Sequence, residues 1–195
     1  SRTALLDFTV ALASPLAGTI ELDGVNTRQI ASAELRRSIT YSTYEPGLFY
    51  GTIRQNFKLA EPDLSDADIE TALAQLGLLT SVTELDEGLD TRLTDAALAK
   101  LSVDLKLGIS LARSMARRSN ILLLSEPTHD LAAATRTKLK EWIACQRGRR
   151  TVVIATTDRS LLTYADRFVC LDAGKLLVND TGASGLKKIN AALEN

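Results

Sequence analysis

Residues 121–131 read ILLLSEPTHDL. Four apolar side chains run straight into Ser125-Glu126-Pro127-Thr128. An apolar run that stops so abruptly predicts a buried strand delivering side chains to a site at its end. The chemistry on offer there is a hydroxyl beside a carboxylate. A second polar stop, Thr156-Thr157-Asp158, follows the β-branched run over 151–155. His129, the only histidine in the chain, reads as a residue at a helix start. The two cysteines, Cys145 and Cys170, lack metal-ligand spacing and read as structural thiols, Cys170 within the apolar run 168–171. The cluster Arg147-Gly148-Arg149-Arg150 reads as a solvated helix end.

The elements that must hold these residues follow from patterning. The chain has 195 residues, is 45% hydrophobic and carries a net charge of −1. That supports one sizeable core, alone or with a smaller subdomain. It lacks the basic excess of a nucleic-acid footprint. Aromatics at 5% are too sparse for base-stacking platforms. No apolar run approaches the roughly 20 residues that cross a bilayer. Helices are predicted over 3–13, 52–57, 66–77, 105–117, about 130–146 and about 184–193. Strands are predicted at 18–22, 38–43, 120–124 and 151–155, with a hairpin at 167–172 and 175–178. Ser65 is the expected N-cap of the helix at 66, with Asp66, Asp68 and Glu70 favourable in its first turn. Residues 84–100 read as polar and irregular. Strands alternating with helices in the second half imply a parallel sheet with crossover helices. The mostly helical middle implies an inserted subdomain.

Five segments carry a family resemblance. Gly18-Thr19-Ile20-Glu21-Leu22-Asp23-Gly24 is similar to G-x-I-x-x-D-G. Leu48-Phe49-Tyr50-Gly51-Thr52-Ile53-Arg54-Gln55-Asn56 is similar to L-F-x-G-T-I-x-x-N. Gly88-Leu89-Asp90-Thr91 matches G-x-D-T, Ala165-Asp166-Arg167 matches A-D-R, and Leu171-Asp172-Ala173-Gly174-Lys175 matches L-D-x-G-K. In this order and spacing the chain resembles the nucleotide-binding domain of ATP-binding cassette (ABC) transporters. The likeness is to the exporter type, with some similarity to bacterial type I secretion transporters. It implies an α/β fold with a P-loop NTPase-like parallel sheet core, about residues 1–47 and 119–195, and an inserted helical subdomain, about 48–118. It also implies ATP and Mg²⁺ as cofactors.

The same resemblance assigns the chemistry residue by residue. The phosphate loop, G-x-x-x-x-G-K-S/T, holds phosphates on its backbone N–H groups and lysine. Counted back from Gly18, its end falls on Ser1-Arg2-Thr3-Ala4. Arg2 then replaces the lysine as a nucleotide contact, and Thr3 is the candidate nucleotide and Mg²⁺ ligand. The glycines of that loop are not in the sequence. Tyr44 stands where the family's glutamine meets Mg²⁺ and water. The signature L-S-G-G-Q reads Leu101-Ser102-Val103-Asp104-Leu105. Ser102 is kept as a candidate nucleotide contact, while Asp104 brings a negative charge to a phosphate-facing tip. In D-E-P-T-S-A-L-D, Ser125 replaces the metal-ordering aspartate and Glu126 keeps the place of the catalytic glutamate. Ala132 replaces the aspartate that links two sites across a dimer. Thr157 replaces the switch histidine.

Phosphoryl transfer depends almost wholly on positioning and charge stabilisation, so losses at this many stations predict a disabled site. The expectation is a degenerate cassette, regulatory or structural, with weak or no ATP hydrolysis. Two alternatives stand beside it. One is a scaffold on the cassette fold that binds no nucleotide and docks through the surface near Phe49-Tyr50. The other is a working ATPase built on Glu126. The implied partners are a second cassette domain, homo- or heterodimeric, and a transmembrane domain, but no nucleic acid. The implied location is the cytoplasmic side of a membrane. The abrupt helical start at Ser1 suggests a piece of a longer protein, whose sheet would have an open edge without upstream strands.

Overall fold

The computed structural model describes residues 2–193, with side chains from Ala4 onward. Helix α1 (Arg2–Thr9) opens the chain. A hairpin, β1 (Glu21–Leu22) and β2 (Val25–Asn26), leads through a 3-10 turn to α2 (Ser32–Ser38) and strand β3 (Ile39–Ser42). A run of helices follows: α3 (Ile53–Ala60), α4 (Asp66–Gln75), α5 (Leu79–Thr83), α6 (Asp95–Lys100) and α7 (Val103–Ala116). The chain then alternates through β4 (Ile121–Ser125), α8 (Ala133–Cys145) and β5 (Thr151–Ala155). It closes with β6 (Arg167–Asp172), β7 (Lys175–Thr181) and α9 (Gly182–Ala192).

β3, β4 and β5 form one parallel sheet with β4 in the centre. Ile39 lies opposite Ile121 and Ser42 opposite Leu124; Ile121 lies opposite Thr151 and Ser125 opposite Ala155. A central parallel strand is covered on both faces, which is why β4 is apolar without alternation. Successive side chains still point to opposite faces. Leu122 and Leu124 enter a large core with Ile53, Phe57, Ile109 and Leu139. Leu123 enters a smaller core with Leu6, Leu35 and Ile39. Thus α1 and α2 cover one face, and α7 and α8 the other. Each of these buried leucines contributes about 1.5–3 kcal/mol. Tyr41 fastens α1 to β3 by donating its hydroxyl to Asp7 at 3.0 Å. Burial, and then this carboxylate, push the phenol up to about 12.

β5 is an outer strand of this sheet, and Val153 on it is 42% exposed. β6 and β7 make a separate antiparallel pair, covered by α9 through Phe168, Val178 and Ile189. Their turn and that of β1–β2 have the same chemistry. Asp23 and Gly24, like Ala173 and Gly174, take positive φ, the two-residue type I′ geometry that matches strand twist. Among the described residues, no helix is long and apolar enough to cross a membrane.

Several expectations shift. The first helix stops at Thr9, not residue 13. Ala11 takes φ 57°, the Leu12 N–H bonds Asp7 O, and the Ala11 N–H bonds Phe8 O, a Schellman ending. The helix expected at 130 starts at Ala133, because Pro127 to Asp130 form a turn in which Asp130 takes φ 57°. Residues 84–100 are not irregular throughout. Thr94 caps α6 by accepting the Ala97 N–H. Helix α2 had no sequence expectation. Ser65 does cap α4, in a reciprocal box with Asp68. Cys170 is half-buried rather than buried, and Cys145 is exposed; both are free thiols.

Candidate functional site

Parallel strands end on the same side, so the carboxyl ends of β3, β4 and β5 converge. In open α/β sheets that rim is where ligands bind. Here it gathers Tyr44 after β3, Ser125-Glu126 at the end of β4, and Thr156-Thr157 after β5. Ser125 is 4% exposed. Glu126 leaves the strand at φ 46°, with its N–H still bonded to Ala155 O at 2.8 Å. That left-handed step turns its side chain toward β5.

Glu126 Oε2 accepts three hydrogen bonds there. The Thr157 N–H lies at 3.0 Å, the Thr156 hydroxyl at 3.1 Å and the Thr157 hydroxyl at 3.3 Å. The Thr156 hydroxyl accepts in turn from the Asp158 N–H at 2.9 Å. Asp158 is held below the usual carboxylate range: burial raises it, but hydrogen bonds from Ser160 and Thr128 outweigh that. Across the cleft the Tyr44 and His129 rings meet edge to face, with centroids 4.8 Å apart. Ser42, Ser110 and Leu131 complete the walls.

Thr157, expected in place of the switch histidine, donates to Glu126, a recipient that comes from the fold. The polar stop also named Thr156, but did not show that its hydroxyl meets the same carboxylate. His129 does not start a helix but sits in the turn before α8. Ser102 caps its own helix, accepting the Leu105 N–H at 3.1 Å. Leu107 and Ser110 of α7 line the Glu126 cleft, whereas Ser102 does not. Arg2 and Thr3 open α1, but their side chains lie outside the described residues. Asp104 does not project as a bare charge. Its carboxylate accepts the Ala132 N–H at 2.7 Å and the Thr135 hydroxyl at 2.9 Å. The basic cluster is exposed at Arg147 and Arg149, as a solvated helix end is, and departs from it at Arg150. Arg147 pairs with Asp166 at 2.9 Å, and Arg150 turns inward to Met115 O and Ser119 Oγ. Burial, then the neighbouring Arg117, lowers the Arg150 pKa.

The family model described as ABC transporter matches residues 2–129. The chain belongs to the ABC transporter family. It is 33% identical over 174 residues to "ABC-type transporter kk1G" of Curvularia clavata, covering 88% of this chain and 13% of that protein. It is 28% identical over 176 residues to the "Multidrug efflux ATP-binding/permease protein Rv0194" of Mycobacterium tuberculosis, covering 90% of this chain and 15% of that one. In fold it superposes on the "Structure of a bacterial Atm1-family ABC exporter with ATP bound" with a TM-score of 0.87, at 21% identity, over 99% of this chain and 35% of the other. The chain therefore spans only a minor part of these relatives.

As an ABC cassette fold, the site can be tested against the cofactors that ABC domains bind in general. Mg²⁺ takes six oxygen ligands, commonly including a carboxylate. Among the described residues no three His, Cys, Asp or Glu side chains converge as a metal site. Ser125 offers a neutral hydroxyl, and Glu126 Oε2 already accepts three hydrogen bonds. Mg²⁺ bound here would draw most of its ligands from phosphate and water oxygens.

Proposed function

We propose that this chain is a degenerate cassette domain of an exporter-type ABC transporter, regulatory or structural, with weak or no ATP hydrolysis. The observation that carries this reading is the grip of Thr156 and Thr157 on Glu126 Oε2. A general base must reach the proton it abstracts. Here one oxygen of that carboxylate is bound to the chain's own donors, which fixes the side chain toward β5. The neutral Ser125 beside it, and Tyr44 packed on His129 across the cleft, support the same reading. In this reading residues about 1–47 and 119–195 form the core and about 48–118 the helical subdomain. Arg2, Thr3 and Ser102 are the remaining nucleotide contacts. The partners are a second cassette and a membrane domain, the latter seated on the groove formed by Phe49, Tyr50 and Leu59, with the cassette on the cytoplasmic side.

A second reading is a scaffold that binds no nucleotide and docks through the same groove. Phe49, Tyr50 and Leu59 are 51%, 75% and 64% exposed, an apolar cluster beside Asn56 and Gln55. Calorimetry with Mg·ATP on the full-length polypeptide separates the two. Binding below millimolar concentration supports the degenerate cassette. Absence of heat at millimolar ATP leaves the scaffold.

A further inference from the structure

Asp104 stands at the start of α7, yet α7 does not use it as its cap. Ser102 does that, accepting the Leu105 N–H at 3.1 Å. The Asp104 carboxylate is turned instead to another helix. Its Oδ1 accepts the Ala132 N–H at 2.7 Å, and its Oδ2 accepts the Thr135 hydroxyl at 2.9 Å. Ala132 is the N-cap residue of α8 and supplies no side-chain cap of its own. Thr135 is 4% exposed. Helix ends leave N–H groups without partners and carry partial positive charge, which a carboxylate satisfies. One carboxylate thus lies in the first turn of α7 and at the start of α8, joining residues 28 and 31 positions apart. Charge-assisted bonds of this kind are stronger than neutral ones.

We propose that Asp104 is an internal clasp that fixes the tip of α7, residues 101–104, against the start of α8. The clasp joins the helical run α3–α7, which lies between β3 and β4, to the crossover helix between β4 and β5. The tip is therefore tied to the start of α8 by bonds within this chain. The alanine at 132 and the aspartate at 104 act as a pair. The first leaves α8 uncapped, and the second reaches across to cap it. This inference does not depend on the chain binding nucleotide.

Hydrogen–deuterium exchange on the full-length polypeptide tests it, comparing wild type, Asp104→Ala, Asp104→Asn and Thr135→Val. In Asp104→Ala, peptides covering 102–108 and 130–136 exchange about tenfold faster or more, as loss of hydrogen bonds to a charged group predicts. Peptides of β4 and α4 stay as in wild type. Asp104→Asn and Thr135→Val, which alter the clasp less severely, give smaller increases in the same two peptides. They supply the reading if the alanine variant does not fold. Unchanged exchange at 130–136 in Asp104→Ala overturns the clasp, as does acceleration spread evenly over the chain. Failure of the chain to bind ATP bears on the proposed function, not on the comparison between variants.

Discussion

Replacing Asn56 with alanine releases the loop that carries Phe49 and Tyr50. Asn56 is 1% exposed in α3. Its Oδ1 accepts the Phe49 N–H at 2.7 Å and Arg113 Nη1 at 3.4 Å. Its Nδ2 donates to Phe49 O at 2.9 Å and Thr52 O at 3.0 Å. One side chain therefore mimics a strand partner for Phe49 and closes the loop onto the helix. Arg113 adds a cation–π contact, its guanidinium carbon 5.1 Å from the Phe49 ring centre. Hydrogen bonds contribute about 0.5–1.5 kcal/mol each, and a stranded buried partner costs more. The loop is half in water, so solvent recovers part of the loss. The expected cost of Asn56→Ala is about 2–3 kcal/mol. For a chain of this size that lowers the melting temperature by roughly 4–12 °C. Asn56→Asp keeps both acceptor bonds and loses both donor bonds, so it also destabilises the loop. Urea midpoints at constant slope give the change, and hydrogen exchange over 47–52 locates it. A loss below about 0.5 kcal/mol, within the range of ordinary surface substitutions, refutes the reasoning.

Other perturbations test other joints of the fold. A Cβ at Gly185 would lie 2.6 Å from Phe168 Cδ2 and 2.9 Å from the Asp180 carbonyl carbon. Gly185→Ala therefore lifts α9 off β6–β7, and overpacking of about 1–3 kcal/mol outweighs the roughly 1 kcal/mol propensity gain of alanine; a melting temperature equal to or above wild type contradicts this. Asp180 is lowered to about 2 by Lys188, then by the Thr181 N–H and Ser184. A lowered carboxylate contributes stability above its unfolded value near 4 and loses it as pH falls through about 2. Exchange at α9 should therefore rise across that window, and Lys188→Met should remove much of the pH dependence. Arg150→Met deprives Ser119 Oγ and Met115 O of their donor and should cost about 1–3 kcal/mol by chemical denaturation, with Arg150→Lys recovering part of it.

The sheet was legible from sequence because its signal is local. The apolar run at 121–124 and the β-branched run at 151–155 mark β4 and β5 to within a residue. The helix boundaries that moved are those set by turns. Val10 to Leu12 are apolar, and nothing in them announces that Ala11 takes a left-handed step. The short α6 hides in a polar stretch, although Thr94-Asp95 was a readable cap. In the site, sequence spacing identified the ends of β4 and β5, since each is a polar stop after an apolar run; Tyr44 after β3 came from the family resemblance. Neither revealed what those residues touch. Thr156 and Thr157 reach Glu126 across 30 and 31 positions, and Asp104 reaches Thr135 across 31. Such pairings depend on strand register and helix approach, which no local pattern encodes. Arg150 was misjudged for the same reason. Its helix-end neighbours are charged and exposed, but the Thr40–Ser119 hydroxyl pair that draws it inward comes from distant segments.

The central claim is that Glu126 does not drive turnover. The direct measurement is Mg²⁺-dependent phosphate release by the full-length polypeptide with its partner cassette, beside the same complex carrying Glu126→Gln. The rates are expected to be the same, because the site containing Glu126 contributes nothing to turnover. A rate that Glu126→Gln abolishes would instead make this chain a working ATPase.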